Sequence, residues 1–211
     1  MILTNIKTSR IPNRVNLIFS NGSYLPLFID DVVKLSLHKN EKIDEEKIDH
    51  LKSLSLSYLG REYALRQIAI SPKTEKIIAQ KLKIYFIKIT KKFNLLSSSY
   101  DSIISQIISE LNEKKLLNQP DFVNYFIQKN KLKSVTAIKF LLKQKGVDIS
   151  SLKLPFLNEK ESIKKILSKK RIDSEKMLDF NYKNKIYSTL YRAGFQLDDI
   201  KAAIDEYLAL Q

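Results

Sequence analysis

The side chains best placed to do chemistry in this 211-residue sequence are cations, and the chemistry they suit is neutralisation of a polyanion. They fall into three groups. Arg61, Arg66, Lys73, Lys76, Lys81 and Lys83 form the first. Lys129, Lys131, Lys133, Lys139, Lys143 and Lys145 form the second, and the stretch 129–145 holds no acid. The third comprises Lys164, Lys165, Lys169, Lys170, Arg171, Lys183, Lys185 and Arg192. Each phosphate that a cation neutralises releases condensed counterions, so repeated cations fit a nucleic-acid backbone. Lysine predominates, and it is a point charge without the planar fork that reads guanine edges. The contact to expect is with phosphate, not with base edges. For any single lysine, the plainer account is an ordinary solvated helix face.

The charge is uneven. Residues 1–63 carry 9 basic and 8 acidic side chains, a net of +1, whereas residues 64–211 carry 28 and 15, a net of +13, within a total of +14. A lysine-rich composition by itself is a second explanation of that excess.

Other chemistry finds few residues to support it. His38 and His50 are the only histidines, and neither has ligand spacing. With four glycines in all and no GxxxxGK[ST] or GxGxxG run, a phosphate-cradling loop is not expected. The pairs Asp30-Asp31, Glu45-Glu46 and Asp198-Asp199 sit where helices should begin, so the helix dipole accounts for them. We therefore expect no catalytic residue, metal or cofactor. The absence of cysteine removes disulfides and thiolate sites, and a cytoplasmic location is the expectation. No apolar run reaches the ~18 residues of a membrane span, and the N-terminus lacks a secretion signal.

These cations need elements to carry them. The first thirty residues read as strands at 2–6, 15–19 and 24–29, with an Asn21-Gly22 turn and with Pro26 marking an edge. From Asp30 the pattern is helical. Asp30 is expected to cap a short helix through Leu37, and Asp44 a long one towards Ile70. In the long helix Ile48, Leu51, Leu54, Tyr58, Leu65 and Ile68 form the apolar series, and Ser71-Pro72 stops it. Thr74, Ser98 with Asp101, and Ser134 precede later apolar series, and Gly146 and Gly194 are expected to end helices. Lysine spacings such as 139–143 and 165–169 place cations on one face opposite the isoleucines and leucines. Tyr85, Phe86, Phe93, Tyr100, Tyr125, Tyr182, Tyr187 and Tyr191 recur at helical spacing, which favours core packing over base stacking. Lys145-Gly146-Val147 and Ala193-Gly194-Phe195 share an outline 48 residues apart, a period suited to stacked helical repeats.

The order of motifs resembles the RecX family. Tyr63-Ala64-Leu65-Arg66, Ser71-Pro72-Lys73-Thr74-Glu75 and Gln80-Lys81-Leu82 are similar to that family's opening repeat. Leu116-Leu117-Asn118 with Asp121-Phe122 resemble that family's Leu-Asp-x-x-Phe element, and Lys133, Ile138, Leu142 and Lys145-Gly146-Val147 resemble the ending of its second repeat. Lys169-Lys170, Lys185-Ile186, Leu190, Arg192-Ala193-Gly194-Phe195, Asp198 and Ile200 resemble the third. The chain departs from the pattern at Thr74 for serine, at Ser134-Val135 for Gly-Pro, at Ala193 for arginine, and in a longer segment at 84–100.

The resemblance implies a mainly α protein of tandem three-helix repeats forming an elongated, curved molecule. A small N-terminal β-hairpin or three-strand element precedes the repeats. The expected division is 1–62 for the hairpin and leading helices, 63–118 for repeat 1, 119–158 for repeat 2 and 159–211 for repeat 3. The implied function is regulation of homologous recombination and the SOS response. The protein would bind the RecA–single-stranded DNA filament as a monomer, through phosphate contacts and away from any membrane, and would inhibit filament growth, ATPase and strand exchange. The alternative is a general helical protein that binds single-stranded DNA or RNA without a recombinase.

Overall fold

The computed structural model describes residues 1–93, 100–150, 152, 158–172 and 175–209. It divides into two compact units, Met1–Asn118 and Gln119–Gln211.

The first unit opens with an antiparallel meander in the order β1-β2-β3, with β1 Leu3–Thr8, β2 Arg14–Phe19 and β3 Tyr24–Phe28. Val15, Leu17 and Phe19 alternate into the core as a half-buried strand requires, and Leu17 lies opposite Leu25. The β2–β3 connection is a three-residue loop, 20–22, in which the Gly22 N–H donates to the Phe19 carbonyl at 2.9 Å and Gly22 takes the left-handed conformation at the loop's end (φ 77°). Pro26 lies on edge strand β3, where the missing N–H costs no ladder bond.

Helix α1 (Ile29–Lys34) follows directly. Its N-cap is Phe28 with no side-chain acceptor, so Asp30 is not the expected cap; with Asp31 it occupies the first turn, where the dipole favours acids. Helix α2 (Glu45–Ile70) is capped by Asp44, whose carboxylate accepts from the Lys47 N–H at 2.7 Å, and it stops at Ser71 before Pro72. Its buried residues do not form one stripe, because α2 packs on β3 and also on α3 (Glu75–Phe93) and α4 (Asp101–Glu113). Against β3 the buried Ser55 hydroxyl donates to the Pro26 carbonyl at 2.8 Å. Leu65, expected in the apolar series, is 42% exposed, whereas Ile68 packs on the core at partial exposure and Ala64 is the last fully buried residue of α2. Thr74 caps α3 through the Ile77 N–H. The first residue of α4 is Asp101, and its expected partner Ser98 lies outside the described residues.

In the second unit α5 (Gln119–Lys129) and α6 (Val135–Gln144) pack together. Helices α7 (Glu159–Lys170), α8 (Phe180–Arg192) and α9 (Leu197–Leu208) surround Ile163, Leu167, Ile186, Leu190, Phe195 and Ile200. Each such buried side chain contributes about 1.5–3 kcal/mol. Ser134, Asn158 and Asp179 cap α6, α7 and α8. Helix α9 begins after Gln196 without a side-chain cap, and Asp198 and Asp199 sit in its first turn.

The ends of α6 and α8 obey one local rule. Gly146 and Gly194 are left-handed (φ 84° and 93°). The Val147 N–H returns to the Leu142 carbonyl and the Phe195 N–H to the Leu190 carbonyl, at 3.1 and 3.4 Å. That is the Schellman closure, and it drops Val147 and Phe195 into the core. Leu116 after α4 and Ile172 after α7 close the same way, with Lys115 and Arg171 in the left-handed position that glycine would occupy.

Candidate nucleic-acid interface

The first basic group is largely committed within its own unit. Arg61 on α2 makes a two-pronged contact with Glu110 on α4, Nε to Oε2 at 2.7 Å and a second nitrogen to Oε1 at 2.9 Å. The Arg61 hydrogen bond holds the Glu110 carboxyl below its usual value, and the same bond raises the guanidinium. Arg61 therefore fastens two helices together. Arg66 leans back on Glu62 at 3.9 Å, Lys73 donates to the Ser71 carbonyl at 2.7 Å, and Lys83 pairs with Asp101 at 2.9 Å. Lys76 is exposed on α3 and Lys81 is half-buried.

The second group differs. Lys129, Lys131, Lys139, Lys143 and Lys145 are exposed and Lys133 is half-buried. Lys129, Lys131, Lys133, Lys139 and Lys143 make no ion pair among the described residues. The Lys129 ammonium sits 5.8 Å from the centre of the Tyr125 ring. From Phe122 to Val147 the chain contains no acid, so no partner is available at helical spacing within α6. The Glu159 carboxylate reaches this stretch only at its backbone, accepting from the Val135 N–H at 2.7 Å at the start of α6.

The third group divides. Lys164 pairs with Glu206 and Lys165 with Glu161, both at 2.6 Å, and these bonds lower both carboxyls. Lys169, Lys170, Arg171, Lys183, Lys185 and Arg192 are exposed and make no ion pair among the described residues. Lys183 lies 5.9 Å from the Tyr187 ring centre.

The second and third groups meet inside the second unit. The Ser134 N–H donates to the Ala193 carbonyl at 3.1 Å, and the Ser162 hydroxyl donates to the Lys131 carbonyl at 3.2 Å. A β-carbon on Gly194 would lie 2.5 Å from both Ala137 Cβ and Ser134 Oγ, so only glycine permits this approach. The turn before α6 therefore rests on α7 and on the end of α8, gathering Lys131, Lys133 and Arg192 around one junction.

Two features escape a reading of the sequence. Tyr191, expected among core aromatics, is 63% exposed, because the core-facing positions of α8 are Ile186 and Leu190. Arg14 is the other, since its strand parity marks it as an ordinary outer residue. Its Nε is buried with no acceptor among the described residues, and its charge is felt by the Tyr58 and Tyr85 hydroxyls. Tyr85 stacks on Tyr63 with ring centres 4.2 Å apart, and burial pushes the Tyr58 hydroxyl up to about 12.

Among the described residues no three His, Cys, Asp or Glu side chains gather to hold a metal. No described helix is long and apolar enough to cross a membrane. The arrangement offers positive charge on helices, with phosphate as the matching chemistry.

No family model matches the chain. The regulatory protein RecX of Clostridium botulinum (strain Eklund 17B / Type B) is 30% identical to it over 206 residues, spanning 93% of this chain and 91% of that protein. The regulatory protein RecX of Streptococcus pneumoniae (strain Hungary19A-6) is 26% identical over 192 residues, spanning 88% and 70% respectively. Among solved structures, a crystal structure of regulatory protein RecX has a TM-score of 0.55 at 17% identity, covering 97% of this chain and 98% of that one. At that identity the structural likeness speaks to the fold.

Proposed function

The chain belongs to the RecX family of regulatory proteins, and from that premise we propose that it is a non-catalytic modulator of the RecA recombinase. It lies on the RecA–single-stranded DNA filament and inhibits filament growth, ATP hydrolysis and strand exchange, damping recombination and the SOS response. The observation that carries this reading is the acid-free run from Phe122 to Val147, with Lys129, Lys131, Lys139 and Lys143 exposed and outside any described ion pair. Such cations are free to replace condensed counterions, whereas Arg61 is already committed to Glu110. The contacting residues are accordingly Lys129, Lys131, Lys133, Lys139, Lys143, Lys145, Lys169, Lys170, Arg171, Lys183, Lys185 and Arg192. In the first unit Lys76 and Lys81 contribute, and Arg61, Arg66 and Lys73 serve local structure. Three helical repeats, 63–118, 119–158 and 159–211, present these cations, and the protein acts as a monomer in the cytoplasm.

The test compares RecA-coated single strands with naked single strands across a salt series, using wild type and the triple variant Lys139→Gln, Lys143→Gln, Lys145→Gln. Filament binding should be the tighter of the two, and the triple variant should weaken both and flatten the salt dependence. Equal affinity for the two substrates would favour the alternative, a general single-strand binder without a recombinase. Binding indifferent to salt would contradict both.

A further inference from the structure

Three aromatic rings among the described residues of the second unit stand in solvent: Phe140 on α6 at 60% exposure, Phe180 at the start of α8 at 74% and Tyr191 near the end of α8 at 63%. The first and last of these lie near the α6–α8 junction. Helical geometry puts Phe140 opposite the buried Ile138 and Leu142, next to Lys143. Phe140 comes three residues after Ala137, and Tyr191 three residues before Gly194. Ala137 and Gly194 are in van der Waals contact. Each ring thus stands about one turn from the point where α6 meets the end of α8. Lys139 and Lys143 are exposed beside Phe140, and Arg192, whose Nε donates to the Ser188 carbonyl at 3.2 Å, follows Tyr191.

A single exposed aromatic needs no explanation. Two rings at one junction, set among cations that make no described ion pair, match a partner that carries negative charge and flat apolar faces together. An unpaired nucleic-acid strand has both in every nucleotide. A duplex keeps its base faces stacked away, and an acidic peptide supplies the charge without the repeated flat faces.

We propose that Phe140 and Tyr191 are base-stacking residues of a single-strand binding site at the α6–α8 junction, with Lys139, Lys143 and Arg192 on the adjoining phosphates. The site rests on the proposed function for its ligand class, and it adds that bases are gripped as well as backbone. Stacking tolerates every base, so the site carries no sequence preference.

The test uses the full chain and two labelled probes of equal length, oligothymidylate and an abasic deoxyribose-phosphate oligomer, at one salt concentration. Wild type should bind oligothymidylate roughly 5- to 100-fold more tightly than the abasic oligomer. Phe140→Ala and Tyr191→Ala should each remove much of that preference and leave abasic binding unchanged. Because the chain has no tryptophan, Phe140→Trp gives a single reporter whose fluorescence should be quenched by oligothymidylate and not by the abasic oligomer. Equal wild-type affinity for the two oligomers would overturn the stacking and leave the phosphate reading intact. Stacking is overturned as well if Phe140→Ala weakens RecA inhibition without changing oligomer binding, since the ring then meets protein. If Lys139→Gln with Lys143→Gln changes neither oligomer's affinity, the phosphate reading and this site both fall.

Discussion

At Gly60, in the middle of α2, a β-carbon would lie 2.6 Å from Phe86 Cζ and 2.7 Å from Ile107 Cδ1. Glycine inside a helix costs roughly 0.5–1 kcal/mol against alanine, and here close contact with α3 and α4 offsets that cost. Gly60→Val should destabilise the first unit by about 1–3 kcal/mol, read as a lower denaturant midpoint. A second residue-scale expectation concerns Glu110. Arg61 depresses its carboxyl below the ordinary 4.5, so the stability it adds is present above about pH 4.5 and lost as pH falls through its lower folded value. Glu110→Gln should cost about 1 kcal/mol at neutral pH and show a shallower acid loss than wild type in thermal melts from pH 6 to 3. Neither role is legible from the sequence. Gly60 looks like a tolerated helix glycine, and Arg61 counts as one more cation because its partner is 49 residues away. Local pattern also misplaces Leu65 and Tyr191, since helical period tells which residues share a face and not whether anything covers it.

The elements are much more legible, because their signals are local. Asp44, Thr74 and Ser134 each accept the expected backbone N–H, and Gly146 and Gly194 end α6 and α8 in left-handed geometry. The mainly helical fold with a three-strand N-terminal sheet follows from such signals. Asp30 marks a first turn instead of a cap, just inside the true boundary, where an acid is also favoured, and Asp101 lies in the first turn of α4. Hidden from sequence are the closures at Lys115 and Arg171, because neither residue type announces a positive φ. A left-handed side chain carries a strain of about 1 kcal/mol. Arg171→Gly should therefore raise stability by about 0.5–1 kcal/mol, and by removing an exposed cation should slightly weaken single-strand binding. A melting temperature that falls would contradict this account of the α7 end.

For the molecule as a whole the relevant quantity is charge that remains open to a partner. The 37 lysines and arginines overstate it. Arg61, Lys47, Lys52, Lys83, Lys164 and Lys165 are paired within the fold. A sequence lets cations be counted but does not show which have acids across a helix interface. In the second group the stretch 122–147 supplies no acid of its own, and the structure adds that no described acid from another element pairs with Lys129, Lys131, Lys133, Lys139 or Lys143. Log affinity for single strands should fall linearly with log salt, and each lysine removed from 139, 143 or 145 should lower the slope by about 0.7. Loss from all three should be gradual, since many contacts share the load. The central claim, that these cations serve a regulator of RecA and not a free strand binder, is tested most directly by DNA-stimulated ATP hydrolysis by the cognate RecA. This protein is titrated in well below one copy per recombinase. Inhibition is expected at those substoichiometric ratios, with weaker inhibition by the 139/143/145 glutamine variant. Undiminished hydrolysis while the protein still binds naked single strands would contradict it.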